Sequence, residues 1–141
     1  MEETVHCRGH VYVTAEHAST FEVTTDDWLT PAGDCILGIE ADRAPADFDS
    51  AFVEACQDRK ATITATLEAE GHRAVVSGRG DPELTFESDR SCVGRTSTYV
   101  DDRTIMLEAD RAAGDLDRDL VNALADGAEL TVTLRVEASD N

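Results

Sequence analysis

The stretch A-T-I-T-A-T-L-E-A-E-G-H-R-A-V-V-S-G-R-G, residues 61–80, decides the fold class. Ile63, Ala65 and Leu67 share one parity before Glu70-Gly71, and Ala74, Val76 and Gly78 share the matching parity after it. Successive side chains of a strand point to opposite faces, and a two-residue loop ending in Gly suits an antiparallel hairpin. The predicted register pairs Leu67 with Ala74, Ala65 with Val76 and Ile63 with Gly78, with Glu68 opposite Arg73 on the other face.

Outward from this hairpin the same alternation recurs. Leu130, Val132, Leu134 and Val136 mark a last strand, and residues from Val5 to Ala15 a first one. Phe21 and Val23 predict a second strand, joined to the first by a loop from Glu16 to Thr20 so that Ala15 faces Phe21 and Thr14 faces Glu22. C-I-L-G-I-E-A at 35–41, Leu84 to Glu87 and T-I-M-L-E-A at 104–109 add three more, while 88–97 has no clear period. Pro45 to Gln57 reads as an amphipathic helix opened by Pro45 and Asp47. Asp110 to Leu124 reads as a second, with Asp110 or Asp115 as N-cap and Gly127 as its stop.

The expectation is one α+β domain over residues 1–141: two helices with seven to eight strands in a mostly antiparallel sheet or partly closed barrel. No fixed-period repeat, low-complexity tract or linker is visible to divide it, and the final A-S-D-N is expected to fray.

The chain has 141 residues, 30 acidic against 12 basic, and a net charge of -18. Eleven of those cations are arginine and Lys60 is the single lysine. A carboxylate coat poor in lysine suits concentrated salt, where screening removes the mutual repulsion, so the composition points to a halophilic, cytoplasmic protein. No apolar run has the length of a membrane span, and M-E-E is not a leader, so no membrane partner is expected. Cys7, Cys35, Cys56 and Cys92 form no C-x-x-C and read as reduced packing residues.

The candidate site centres on His10, His17, Thr20, Glu22 and Asp34. Imidazole with carboxylate could ligate a divalent metal, through His10, His17 and Glu22, or exchange protons near neutral pH. The plainer account makes His17 a loop residue, Glu22 a solvated sheet residue and Asp34 a turn cap. Arg95 and Arg103 join the candidates because guanidinium forks suit phosphate and carboxylate, although such a coat invites pairing with nearby acids. Cys35 is a nucleophile only if a histidine activates it, and the packing account is preferred. Neither a phosphate-binding glycine loop nor a G-x-S-x-G elbow is present.

The chain resembles an archaeal domain-of-unknown-function family, DUF371. R-G-H at Arg8 to His10, A-E-H-A-S-T-F-E-V-T at Ala15 to Thr24 and L-T-P-A-G-D-C-I-L-G-I at Leu29 to Ile39 carry the resemblance, with V-G-R-T-S at Val93 to Ser97 and R-T-I-M-L-E-A-D-R-A-A at Arg103 to Ala113. It implies an archaeal protein, and Arg111 in place of a lysine suits a haloarchaeal member. It implies no activity, cofactor or catalytic residue.

The leading functional expectation is a binding domain for a polar ligand, a nucleotide or RNA, on a face lined by His10, His17, Thr20, Glu22, Asp34, Arg95 and Arg103. The alternative is a metal-dependent enzyme using His10, His17 and a carboxylate. A further one is a subunit of a larger assembly, which calls for an exposed apolar patch.

Overall fold

A computed structural model, describing residues 1–138, contains β1 (Glu2–Arg8), β2 (Thr20–Thr24), β3 (Ile36–Gly38), α1 (Ser50–Cys56), β4 (Thr62–Ala69), β5 (His72–Arg79), β6 (Ser91–Arg95), β7 (Thr104–Met106), α2 (Arg118–Ala125) and β8 (Glu129–Glu137). The strands form two four-stranded sheets, ordered β1-β8-β4-β5 and β3-β2-β6-β7. Every pair in the first sheet is antiparallel, whereas in the second an antiparallel centre carries a parallel strand on each flank. One residue pair at each seam, Arg8 with Ile39 and Arg79 with Leu107, stitches the sheets edge to edge without closing a continuous barrel. The α+β class and the count of two helices and eight strands are as expected.

The 61–80 hairpin forms in the predicted register, Leu67 opposite Ala74 and Glu68 opposite Arg73, because alternation and turn agree. Glu70 and Gly71 both take positive φ, 50° and 78°, as a two-residue turn of this hand requires. Gly127 ends α2 at φ 87°.

Elsewhere the structure corrects the sequence reading. The first strand stops at Arg8, and residues 9–15 form a turn and loop: Gly9 N still donates to the Ala128 carbonyl in ladder register, but Ala128 N turns back to the Ala123 carbonyl of α2, and the pairing ends there. β2 therefore pairs with β6 and β3, so Thr14 and Glu22 are not cross-strand neighbours. Leu84 to Glu87 is not a strand; the strand lies in 88–97, as β6. Each segment expected to be one continuous helix is a 3-10 turn, Pro45–Asp47 or Ala113–Asp115, followed by a helix capped by Asp49 or Asp117. Residues 139–141, most of the tail expected to fray, lie outside the described residues.

The structure also reveals an internal duplication without a fixed period. The order strand, strand, strand, 3-10 turn, helix, strand occurs twice, and I-E-A-D-R-A-P-A-D-F-D at 39–49 returns as L-E-A-D-R-A-A-G-D-L-D at 107–117. Hydrogen bonds repeat with it. Asp42 Oδ1 accepts from His6 N as Asp110 Oδ1 does from Ser77 N, and Asp47 caps Ala44 N as Asp115 caps Ala112 N. Arg8 pairs with Glu40 as Arg79 pairs with Glu108. A pseudo-twofold axis therefore runs between the halves, through the pairs Glu22–Val93 and Thr66–Thr133.

The halves exchange strands and helices, so they share one core. β1 pairs with β8 and β4 with β5 and β8, while Gly9 lies against the Leu124 carbonyl of α2 and its mate Gly80 against the Cys56 carbonyl of α1. Phe52 meets Phe48 and, across the halves, Phe86 edge to face, while Phe48 and Phe86 are tilted at 51°, all at 5.7–6.2 Å between ring centroids. Complementary exchanges keep the packed volume: the Cys7 sulfur fills the space over Gly38, whereas at the mate positions the Met106 sulfur fills it over Gly78. All four cysteines are free, and three of them are buried.

Candidate functional site

Where the axis crosses the second sheet, Phe21, Val23 and Cys92 point into the core. Alternation then turns Thr20, Glu22 and Thr24 on β2, and Ser91, Val93 and Arg95 on β6, to the opposite face, where Thr20 and Glu22 are half-buried and the other four are buried. Glu22 N donates to the Cys35 carbonyl at 2.9 Å, and Val93 N to the Arg103 carbonyl at 2.8 Å. Cys35 and Arg103 are thus mates, one on each side of the axis. The scaffold is symmetric and the side chains on it are not.

These side chains form a connected polar cluster. The Cys35 thiol donates to Glu22 Oε1 at 3.5 Å and lies near enough to the Thr20 hydroxyl to feel its dipole, and that hydroxyl lies 3.0 Å from His17 Nδ1. Burial, and then the Glu22 charge, push the Cys35 thiol up to about 11, so it is a protonated donor at neutral pH and not an activated nucleophile. The Arg103 guanidinium bears electrostatically on Glu22 and holds Asp101 at 2.7 Å. Arg95, buried, shares that carboxylate at 3.0 Å and donates to the Thr104 hydroxyl at 2.8 Å. Burial alone raises the Asp101 carboxyl, but hydrogen bonds from Arg103 and the charge of Arg95 outweigh it and hold the group down to about 2.

The two loop histidines have a role that only the duplication exposes. His10 Nδ1 accepts from Tyr12 N at 3.0 Å, and at the mate position Asp81 Oδ1 accepts from Glu83 N at 2.9 Å. His17 Nδ1 accepts from Ser19 N and Thr20 N at 3.2 and 3.1 Å, and its mate Ser88 Oγ accepts from Arg90 N and Ser91 N at 3.1 and 3.2 Å. Each turn asks only for an acceptor. An imidazole whose Nδ1 accepts a backbone N–H carries its neutral-state proton on Nε2, so each ring keeps a second polar atom that the turn does not use.

The sequence-named residues therefore divide. His17, Thr20, Glu22, Arg95 and Arg103 join through the contacts above, with Asp34 next to Cys35, its carbonyl accepting from His17 N. His10 sits in its own turn, its ring 5.3 Å from that of Tyr12. Asp101 is a member that sequence reading did not include, and Cys35 one that it weighed only as a nucleophile or a packing residue; the repeated E-A-D-R-A phrase was the signal that could have aligned Cys35 with Arg103. Among the described residues no group of three or more His, Cys, Asp or Glu is placed to hold a metal ion. A cleft of about 740 Å³ lies instead against α2 and the 70–72 turn, lined by Glu70, His72, Asp119 and Asp126.

Fold and cluster together define a class: a duplicated α+β protein with an asymmetric polar centre on its internal axis. The chain belongs to the family described as a domain of unknown function, DUF371, which matches residues 5–137. It is 38% identical over 130 residues to an uncharacterized protein of Methanocaldococcus jannaschii, across 92% of this chain and 96% of the relative. No helix among the described residues is long and apolar enough to cross a membrane.

Proposed function

We propose that the protein is a binding domain for a small polar ligand, held on the outer face of the second sheet around Glu22. The carrying observation is that His17 occupies a cap position that a serine fills equally well in the other half. Folding needs the acceptor alone, and the imidazole adds an Nε2–H donor. Glu22 supplies an acceptor beside it, Thr20 a hydroxyl, and Arg103 a cation, a donor and acceptor set suited to a nucleotide.

Of the two ligand classes raised by the sequence, ion pairing favours the small molecule over RNA. Among the described residues every arginine except Arg111 and Arg118 lies within ion-pair distance of a carboxylate, which leaves little basic surface for a polyphosphate backbone. Metal-dependent catalysis through His10, His17 and Glu22 has less support, because ligation by neutral rings at Nε2 requires both turn caps to be given up.

The test is calorimetric titration in molar KCl with AMP, GMP, CMP, UMP, a homopolymeric RNA and Zn²⁺. A mononucleotide is expected to bind, with affinity falling about fivefold or more in His17→Ser and Glu22→Gln, the scale of one lost charge-assisted or neutral hydrogen bond. Equal binding by the variants, or binding of RNA or zinc alone, overturns the reading.

A further inference from the structure

Resting on that reading, we infer that the ligand carries a flat heteroaromatic ring, which stacks on the free face of Tyr99. All four phenylalanines are buried, yet Tyr99 is 61% exposed, in the crossover between β6 and β7. Its ring is nevertheless held: the Arg95 guanidinium lies 4.7 Å from the centroid, pinned in turn by Asp101 and Thr104. A ring backed on one face by a fixed cation and open on the other is a preformed stacking platform.

Its neighbours supply the polar partners. Arg95 lies directly opposite Thr20 across the β2–β6 ladder, and opposed side chains on one face of a ladder are in contact range. Thr20 touches His17 Nδ1, and the Thr96 hydroxyl donates to the Ser19 carbonyl at 3.1 Å, tying the base of the Tyr99 loop to the His17 turn. Platform and imidazole therefore stand one side chain apart, with Arg103 and Glu22 beyond.

The mate position gives an internal control. Trp28, the single tryptophan, holds the place of Tyr99 in the other half and is also exposed. There Thr24 stands for Arg95 and Ser88 for His17, so that end has neither the backing cation nor the imidazole donor.

The experiment compares AMP, GMP, CMP and UMP with ribose 5-phosphate by titration calorimetry on the wild type, Tyr99→Ala, Tyr99→Phe and Trp28→Ala in molar KCl. At least one mononucleotide is expected to bind about tenfold tighter than ribose 5-phosphate, a difference that Tyr99→Ala abolishes, Tyr99→Phe keeps and Trp28→Ala leaves within about twofold. Ribose 5-phosphate matching every mononucleotide in a His17-dependent manner overturns the stacking role and leaves the polar site standing. No binding by any probe overturns both.

Discussion

Cys35 and Arg103 occupy mate positions on either side of the internal axis, and both bear on one carboxylate, that of Glu22. Duplication would have supplied the same residue twice. A thiol on one side and a guanidinium on the other make the centre of a symmetric sheet chemically one-handed, so the proposed ligand would be received in one orientation.

Glu22 contributes to the high pKa of the Cys35 thiol, after burial. Glu22→Gln removes that charge and is expected to move the thiol down from about 11. Alkylation by iodoacetamide across pH, read at Cys35 by mass spectrometry, should show modification starting at lower pH than in the wild type. An unshifted profile contradicts the contact.

The caps predict two pairs of contrasting variants. His17→Ser and His10→Asp install the mate residue and should leave urea-unfolding stability within about 0.5 kcal/mol, whereas His17→Ala and His10→Ala each lose an acceptor and should cost about 1 kcal/mol. Equal losses in both pairs would mean that the rings matter by packing.

Gly9 and Gly80 lie where a helix from the opposite half ends on the chain, and a Cβ at either would enter a backbone carbonyl, that of Leu124 or of Cys56. Backbone cannot step aside as a flexible side chain can. Gly9→Ala and Gly80→Ala should each cost about 3 kcal/mol or more, and similarly, because the contacts are mates. Thermal unfolding of the two variants is the check.

Buried thiols set the alkaline limit. Burial pushes Cys7, Cys56 and Cys92 up to about 12 and Cys35 to about 11, against an unfolded value of about 8.5. The native chain holds protons that the unfolded chain releases, so this contribution is complete below the unfolded value and is lost as pH rises towards 12. Asp101 has the opposite sign: its contribution is present above the unfolded value of about 3.9 and is lost as pH falls towards 2. Urea-unfolding free energies should fall from pH 7.5 to 9.5, less steeply in Cys35→Ser, and the acid limb should flatten in Asp101→Asn.

With 30 acidic residues against 12 basic, unscreened repulsion opposes the compact state. The melting temperature is expected to drop as KCl is lowered from molar to millimolar, and more steeply than with an equal osmolality of sucrose. A melting temperature independent of KCl contradicts adaptation to salt.

The 61–80 hairpin was legible because its two strands are neighbours in sequence, so parity and the Glu70-Gly71 turn state the register together. β1 and β2 read wrongly for the complementary reason. Their alternation tells which side chains are buried and not which strand lies alongside, and both find partners in the other half. The duplication was written in 39–49 and 107–117, but one crossover, 25–35, is longer than its counterpart, 96–103, which breaks any fixed period.

By itself the sequence determined the α+β class, the 61–80 hairpin, the packing of the cysteines and the acid coat, all of which depend on local alternation or on composition. Only the tertiary structure decided which residues meet. His17, Thr20, Cys35 and Glu22 adjoin Arg103 because β2 and β6 pair across the internal axis, an association between distant segments that no local period encodes.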